Sequence, residues 1–336
     1  MKKVFVYPVG NPEKSNAKNP YISDMLNSIS KHYILVNKPN SYTKYGMLSV
    51  LLNFGKANTF VLNWTENIPD RKLGYLQVTI FFLLVLLIRI RGKEFIWMLH
   101  NKKNHKSDNL LNRMCMGLSA YFSTKIVTHS AEGINYLNNT YGSKISRKAR
   151  YVPHPTNLHE YKKVKKLSNK TIPEYDFIIW GAISKYKGIL EFMNFISQNR
   201  HWKEKKILIC GKSSDKEYIE DLKKTCTKNT TIVEGYIEDD FLNELIMNSK
   251  AILFVYARDT VLSSGALIKS LYYKKTIIGP NTGAFKELRK EGLIETYDNI
   301  CQILQYKETI SIEKISKIDK YIKENNWNNC IIKIID

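Results

Sequence analysis

The sequence predicts an α/β protein of two doubly wound, Rossmann-like domains with an interdomain cleft. Its 336 residues exceed what one compact core holds and suit two domains of about 150 residues each. In both halves, short apolar runs rich in β-branched residues alternate with longer helical stretches. Near-continuous apolar strands separated by helices are typical of a parallel sheet that is covered on both faces.

The predicted strands are spread evenly over the two halves. In the first half they lie at residues 4–7, 33–36, 59–64, 95–99 and 125–128. In the second half they lie at residues 175–180, 206–209, 231–233, 251–255 and 275–278. Helices of the second half are expected to begin near Lys187, Asp215, Glu238 and Ser263.

The alternating pattern lapses between His154 and Glu174, where the chain is polar, basic and bounded by prolines. Near the other end, Trp327 follows a helical pattern and is a large side chain that can anchor a terminal segment. These features predict four segments: an N-terminal domain at 1–155, a linker at 156–174, a C-terminal domain at 175–311 and a helical tail at 312–336 that packs on the body of the protein.

The chain is strongly basic, with a formal net charge of +21. Residues 1–160 hold 22 Lys and Arg against 8 Asp and Glu, and residues 161–336 hold 30 against 23. Such an excess favours an anionic partner, although a proteome rich in lysine gives part of it without any function. Because the chain has no recognisable nucleic-acid module, lipid headgroups or phosphorylated ligands fit better than nucleic acid.

Cysteine usage and the first residues indicate the compartment. The five cysteines are scattered, odd in number and never spaced as C-x-x-C, so they predict neither a disulfide framework nor a zinc site. The opening segment MKKVFVYPVG reads as a strand and a loop, and not as a signal peptide. We expect a cytoplasmic protein whose basic first domain is a candidate for peripheral contact with the inner face of the cell membrane.

One apolar run bears on that expectation. Residues 78–88, VTIFFLLVLLI, form eleven apolar or uncharged residues closed by Arg89 and Arg91. A membrane-spanning helix needs about 20 such residues, so this run is too short. It fits either a buried core helix or a helix in the membrane interface, and its lack of a polar face favours the core.

Two segments have the pattern of an anion site. In ARDTVLSSGALIKSL, residues 257–271, Ser263, Ser264 and Gly265 lie at a strand-to-helix turn, where backbone N–H groups and the helix dipole attract a phosphate. An ordinary serine N-cap would explain this turn equally well. In WGAISKYKGILEF, residues 180–192, a glycine turn again follows a strand.

The second of these segments also supplies cations. Lys187 is placed where its ammonium group could reach the same phosphates, and Lys185 is the reserve candidate. Basic residues in loops are usually only solvated, so this segment is weak by itself. The two segments together predict a diphosphate site.

With further segments, these patterns resemble the GT-B glycosyltransferases of bacterial capsule and exopolysaccharide assembly, in the group 1 or family 4-like class that uses nucleotide-sugar donors. The resemblance covers essentially the whole chain, and the order and spacing of its segments carry it. The segments are NPYI (19–22), NWTEN (63–67), WMLHNKKNH (97–105), KIVTHS (125–130), GAISKYKG (181–188), EGYIEDD (234–240) and SSGALIKSLYYKKTIIGPNTG (263–283).

The resemblance implies a division of labour between the domains. The N-terminal domain would bind the acceptor, and the C-terminal domain would bind the nucleotide-sugar donor. The donor residues would be Gly181, Lys185, Lys187, Ser263, Ser264 and Gly265 at the diphosphate, Tyr236 and Ile237 beside the base, and Tyr256 and Asp259 beside the sugar. No D-x-D motif occurs, so we expect no metal and no cofactor.

The chain departs from this family at one motif. Many retaining relatives carry two glutamates in the segment that here reads DTVLSSGALIKS, and neither is present, because the positions fall on Lys269 and near Val261. Asp259 is the candidate to replace the first glutamate. A retaining mechanism therefore does not follow from the motif.

A general base for inversion would come from the first domain. Glu66 and His100 each follow a predicted strand at the cleft edge and are our catalytic candidates, while Asn101, His105 and His129 are candidates for the acceptor side. Two alternatives remain: Glu66 could cap a helix, and His100 could hydrogen-bond within its turn. The histidines lack the spacing of a metal site.

The function predicted from the sequence is sugar transfer from a nucleotide diphosphate to a glycan acceptor, lipid-linked, in surface polysaccharide synthesis. Two alternatives are a nucleotide-sugar epimerase of the same architecture and a catalytically silent partner subunit. A homodimer is compatible with each of these three functions.

Overall fold

The computed structural model describes residues 1–11, 20–38, 42–104, 109–167, 172–256, 262–306 and 309–336. These residues divide into two compact units. The first unit comprises Met1–Pro155 and Asn325–Asp336, and the second comprises Thr156–Glu324. Each unit contains a six-stranded sheet with parallel strand pairing. The predicted α/β class is confirmed.

The strands of the first unit are β1 (Lys3–Tyr7), β2 (Ile34–Leu35), β3 (Thr59–Asn63), β4 (Glu94–Leu99), β5 (Lys125–Thr128) and β6 (Ala149–Tyr151). Its helices are α1 (Pro20–His32), α2 (Met47–Leu52), α3 (Gly74–Ile90), α4 (Leu110–Phe122), α5 (Ala131–Tyr141) and α6 (Ser143–Ser146). The strand order is β2-β1-β3-β4-β5-β6.

Both faces of the first sheet are covered, as the near-continuous apolar strands predict. Val4 and Val6 of β1 share a buried cluster with α1 on one face. Their neighbour Phe5 points to the opposite face, because side chains alternate along a strand. On that face Phe81 of α3 packs against Phe95 of β4, with ring centroids 6.4 Å apart.

The helix α3 is buried along one side only. Phe81, Leu84 and Ile88 are buried, whereas Phe82 and Leu83 are 43% and 49% exposed. The interpretation of this run as a buried core helix is therefore correct for the side that faces the sheet and wrong for the outward side. Among the described residues, no helix is long and apolar enough to cross a membrane.

The strands of the second unit are β7 (Tyr175–Trp180), β8 (Ile207–Gly211), β9 (Thr230–Glu234), β10 (Ser249–Leu253), β11 (Thr276–Pro280) and β12 (Glu295–Tyr297). Its helices are α7 (Leu158–Lys165), α8 (Ile189–Gln198), α9 (Lys216–Thr225), α10 (Asp239–Met247), α11 (Gly265–Ser270), α12 (Gly283–Lys290) and α13 (Ile312–Glu324). The strand order is β12-β11-β10-β7-β8-β9.

Alternation along β7 shows that this sheet is also covered on both faces. Ile178 and Trp180 lie in one buried cluster, and Phe177 and Ile179 lie in another. Both sheets are thus doubly wound.

The end of the chain forms two helices that belong to different units. The helix α13 lies in the second unit, and α14 (Trp327–Ile335) lies in the first. The hydroxyl of Ser28 in α1 donates to the carbonyl oxygen of Trp327 at 3.0 Å, and Ile331 joins the buried cluster around α1. The segment predicted as one tail therefore packs in two places.

The other differences from the sequence prediction lie at sheet edges and in the linker. The edge strands β6 and β12 have three residues each and were not predicted. The segment 156–174 contains α7, which Asn157 caps by accepting from the backbone N–H of His159 at 3.0 Å.

We predict that Gly211→Ala destabilises the second unit. Gly211 ends β8 with φ +147°, and an added Cβ would lie 1.9 Å from the carbonyl oxygen of Gly181. The expected cost is about 2–4 kcal/mol, seen as a lower melting temperature. Gly117→Ala in α4 is the control, since its Cβ would meet nothing within 4 Å. Equal melting temperatures for the two variants would contradict the close approach of β7 and β8.

Candidate functional site

In the first unit, polar side chains gather where β3, β4 and β5 end. Asn63 is the last residue of β3, and His100 and His129 directly follow β4 and β5. The carboxyl ends of parallel strands share one edge of the sheet, which is where ligands bind in such folds. The contacts confirm that these side chains meet: His100 Nε2 lies 2.9 Å from Asn63 Oδ1, and the rings of His100 and His129 are 5.6 Å apart.

Trp64 turns the chain sharply after β3. Its φ and ψ of 48° and 46° are left-handed, a conformation that costs about 1–3 kcal/mol for a residue with a side chain. The indole ring stacks on His100 at 4.6 Å between ring centroids. The left-handed residue starts a 3-10 turn, Thr65–Asn67, which directs Glu66 into the interior.

Glu66 is a buried carboxyl that titrates near neutral pH. Its side chain is only 2% exposed, and Asn101 Nδ2 donates to its Oε1 at 3.1 Å. Burial raises the pKa of Glu66 to about 7, while the bond from Asn101 opposes the rise. A carboxyl with this pKa can take up and release a proton at neutral pH, as a general base must.

One asparagine in α4 and one in the segment before it hydrogen-bond to the backbone of this turn. The carbonyl oxygen of Glu66 accepts from Asn104 Nδ2 at 3.1 Å and from Asn112 Nδ2 at 2.7 Å. The hydroxyl of Ser119 donates to Thr65 Oγ1 at 2.8 Å. The carboxyl therefore sits on a turn that is fixed from several directions.

His100 is a neutral imidazole, and its hydrogen bond to Asn63 defines its tautomer. Asn63 uses its Nδ2 to donate to the carbonyl oxygen of Tyr7 at 3.2 Å, so its Oδ1 accepts and His100 Nε2 carries the proton. Burial, together with His129 and His154, holds the pKa of His100 well below its usual range. Of the two catalytic candidates, Glu66 is thus the better proton acceptor at neutral pH.

His129 lies deeper in the same cluster. Its Nδ1 donates to the carbonyl oxygen of Val152 at 2.8 Å, so Nε2 accepts from the hydroxyl of Tyr21 at 2.9 Å. Burial lowers the pKa of His129 to about 4 and that of His154 to about 3. Tyr21 also packs edge to face on Trp327, with ring centroids 4.9 Å apart.

The structure brings Glu66, Asn101, His100 and His129 together at this edge, and His105 lies outside the described residues. Sequence reasoning missed Asn63, Tyr21, Asn104, Asn112 and His154. Asn63 could have been found as a polar residue that ends an apolar strand. Tyr21 could not, because it meets His129 only through the tertiary fold.

In the second unit, a lysine lies buried at the carboxyl end of β7. Lys187 is 6% exposed, and its ammonium group donates to the carbonyl oxygen of Trp180 at 3.2 Å. The ammonium group also lies 5.4 Å from the ring centroid of Tyr256. Burial lowers the pKa of Lys187. No carboxylate lies within ion-pair distance of it in the described ranges.

Gly181 and the serine turn complete this cluster. Gly181 has φ +101°, a backbone conformation that favours glycine, and a Cβ there would lie 2.8 Å from Lys187 Nζ. Ser264 caps α11 by accepting from the backbone N–H of Leu267, and its Oγ is 3.1 Å from the hydroxyl of Tyr256. Gly265 is the first residue of α11.

Among the described residues of the second unit, two serine hydroxyls are buried without a hydrogen-bond partner. They belong to Ser184, which precedes the 3-10 turn Lys185–Lys187, and to Ser263, which precedes the cap of α11. Buried hydroxyls are normally paired, so each unpaired one requires an explanation. Ligand oxygens would satisfy both.

The remaining donor candidates are placed differently. Lys185 is exposed and pairs with Asp215 at 3.2 Å. Tyr236 is 59% exposed, Ile237 packs against the core, and Asp259 lies outside the described residues.

Lys269, at the position of the second family glutamate, pairs with Asp239 at 2.7 Å. No group of three or more His, Cys, Asp or Glu that could hold a metal ion occurs among the described residues. In the second unit, the side chains around Lys187 could receive an anion.

Comparison with known proteins gives the fold. No family model and no curated protein matches the chain. Solved structures do match: HepE of Anabaena in complex with UDP is 13% identical, over 99% of this chain and 93% of that one, with a TM-score of 0.60. A glycosyltransferase of Rickettsia africae is 14% identical, over 98% and 96%, with a TM-score of 0.62. Trehalose-6-phosphate synthase OtsA is 10% identical, over 100% and 98%, with a TM-score of 0.67.

The protein has the fold of the GT-B glycosyltransferases. The two doubly wound units of parallel strands and the near-complete coverage of both chains in each comparison establish this. At these identities the similarity defines the fold alone.

We predict that Glu66→Gln stabilises the protein at alkaline pH and not at acid pH. Burial raises the pKa of Glu66 from 4.5 to about 7, so the unfolded chain ionises first as the pH rises. The folded state therefore loses stability between these two values, by about 3 kcal/mol in full above the higher one. Thermal unfolding of both proteins at about pH 4 and about pH 8 measures the difference.

The exposed Glu220→Gln is the control, and it should show no such pH dependence. A Glu66→Gln variant that unfolds like the parent protein at both pH values would mean that Glu66 is not a carboxyl of raised pKa.

Proposed function

We propose that the protein transfers a sugar from a nucleoside diphosphate to a hydroxyl group of an acceptor. The observation that carries this proposal is the buried ammonium group of Lys187. It has no carboxylate partner in the described ranges and lies in a serine- and glycine-lined cluster at the carboxyl edge of the second sheet. An unpaired buried cation is costly, and an anionic ligand removes the cost.

A diphosphate suits this cluster best. Lys187 supplies the charge, the hydroxyls of Ser184 and Ser263 supply two unused donors, and Gly181 allows close approach to the backbone. As the sugar–oxygen bond breaks, negative charge develops on the leaving diphosphate, and these groups stabilise it. Known neighbours support the ligand class, since HepE of Anabaena has been crystallised with UDP and with UDP and glucose.

Glu66 is the proposed general base. Its carboxylate removes the proton of the acceptor hydroxyl while the acceptor oxygen bonds to the anomeric carbon and the diphosphate leaves. Asn101 orients the carboxyl, and the raised pKa keeps part of it ionised and sufficiently basic near neutral pH. Asn101 and His129 remain candidates for the acceptor side.

For the acceptor, we propose a lipid-linked glycan in surface polysaccharide synthesis, reached at the inner face of the cell membrane. Support comes from the charge of the first 160 residues, 22 Lys and Arg against 8 Asp and Glu. Lipid headgroups and diphosphate lipids are both anionic, so this excess would concentrate them near the protein.

Replacing Lys187 tests the donor site. We expect Lys187→Met to weaken UDP binding about 10–100-fold, because charge-assisted bonds to the phosphates are lost. The variant without ligand should be at least as stable as the parent, since a buried unpaired charge is removed. Titration calorimetry and thermal unfolding measure the two effects separately.

The matched control is Lys185→Met, which removes a lysine only two positions away that is exposed and paired with Asp215. It should bind UDP like the parent protein. Unchanged UDP affinity in Lys187→Met would overturn the phosphate assignment.

Replacing Glu66 tests the base. We expect Glu66→Gln to lower kcat about 10²–10⁴-fold while UDP affinity stays unchanged. In the parent protein, kcat/KM should rise with pH and level off above about 7, the pKa of Glu66. The rate of UDP release, measured as a function of pH with a panel of lipid-linked acceptors, checks both the loss of kcat and the pH dependence of kcat/KM. A sugar donor that is epimerised without any acceptor would instead indicate the epimerase.

A further inference from the structure

The outward side of α3 is apolar apart from the exposed Thr79. Tyr75, Leu76, Phe82, Leu83 and Ile90 are exposed and recur at helical spacing, so they form one stripe over about four turns. Single exposed leucines are ordinary on a protein surface, whereas a group of neighbouring exposed apolar side chains marks an interaction surface. We call these residues the α3 stripe.

The neighbouring helix extends this surface. The helix α4 packs beside α3, and Leu110, Met114 and Tyr121 are exposed along its outward side. Their spacing of four and seven residues again places them on one side of the helix. The apolar surface is therefore two helices wide.

Cations flank the α3 stripe at both ends. Lys72 is exposed near its start, and Arg89 and Arg91 are exposed at its end. Residues 71–93 contain five Lys and Arg and no Asp or Glu. This arrangement complements a partner that is apolar in the middle and negatively charged at its surface.

A basic cavity adjoins the end of the stripe. It has a volume of about 630 Å³ and is lined by Arg89, Lys144, Lys148 and Tyr121, among others. Within the described segments, no carboxylate pairs with Arg89 or Lys144. The ammonium group of Lys148 bonds to carbonyl oxygens at the end of α4, such as that of Tyr121 at 2.8 Å.

We propose that the α3 stripe binds the surface of an anionic lipid bilayer, with α3 in the plane of the interface and the basic cavity receiving a lipid phosphate. A helix with an apolar outward side and flanking arginines binds bilayers in this way, and each cation near the surface adds to the attraction. The inference rests on the membrane location in the proposed function and names the surface responsible.

A second copy of the chain fits this surface less well. Two stripes packed against each other, parallel or antiparallel, would bring Lys72, Arg89 and Arg91 near their like-charged counterparts. Residues 71–93 offer no carboxylate to compensate. Like charges across an interface are unfavourable, whereas anionic headgroups neutralise them.

Vesicle sedimentation of the full chain tests the inference. The parent protein should sediment with vesicles of phosphatidylcholine and phosphatidylglycerol, less with phosphatidylcholine alone, and less at high salt. Two variants probe the stripe and its cations: Leu76→Ser with Leu83→Ser, and Arg89→Gln with Arg91→Gln. Each should lower the partition coefficient at least about tenfold.

Matched controls lie in the second unit. Ile312→Ser replaces an apolar residue that is 87% exposed, and Lys228→Gln removes an exposed cation. Both should sediment like the parent protein. Every variant should keep the parent melting temperature and UDP affinity, which shows that the fold is intact.

Two results would overturn the inference: a parent protein that does not sediment with the anionic vesicles, or stripe variants that sediment as it does. A dimer in solution that Leu76→Ser with Leu83→Ser dissolves would also overturn it, in favour of a second copy. Loss of UDP binding with intact vesicle binding would count against the donor site alone.

Discussion

Parallel strand pairing is the constraint on which both candidate sites depend. In each sheet, parallel order brings the carboxyl ends of several strands to one edge, so residues far apart in sequence become neighbours there. Asn63 and His100 are 37 positions apart and share a hydrogen bond of 2.9 Å for this reason. The same constraint brings the carbonyl oxygen of Gly181, after β7, so close to Gly211 at the end of β8 that a Cβ at position 211 would lie 1.9 Å from it.

Burial then sets the chemistry of the side chains at these edges. Glu66 and Lys187 are both buried without an oppositely charged partner in the described ranges, and burial moves their pKa values in opposite directions, up for Glu66 and down for Lys187. A core alone would place apolar residues at such positions, since unpaired charge destabilises it. The proposed function accounts for their presence, with proton transfer at Glu66 and anion binding at Lys187.

Much of the fold could be predicted from the sequence, and the features that could not be predicted have physical causes. The central strands were predictable because burial on both faces gives continuous apolar runs, whereas β6 and β12 are short edge strands that bury few residues. Glu66 and Lys187 could be singled out as residues that follow strands, whereas their burial is visible only in the structure. The bond between Tyr21 and His129 spans 108 positions and leaves no local pattern. The outward side of α3 was misjudged because an apolar run without a polar side looks the same whether one side or both are buried.

The exposure of α3 also changes how the net charge is understood. A charge of +21 by itself is compatible with a lysine-rich composition and no function. The positions of the cations distinguish those that stabilise the fold from those that are free to bind a partner. Lys93 donates to the carbonyl oxygen of Phe54, and Lys148 donates to that of Tyr121, so these two cations stabilise the fold. Arg89 and Lys144 have no such partner among the described residues and lie beside an exposed apolar surface. The proposed contact with an anionic bilayer accounts for both features, because its headgroups would pair with these cations and its acyl region would cover the apolar side chains that the core does not bury.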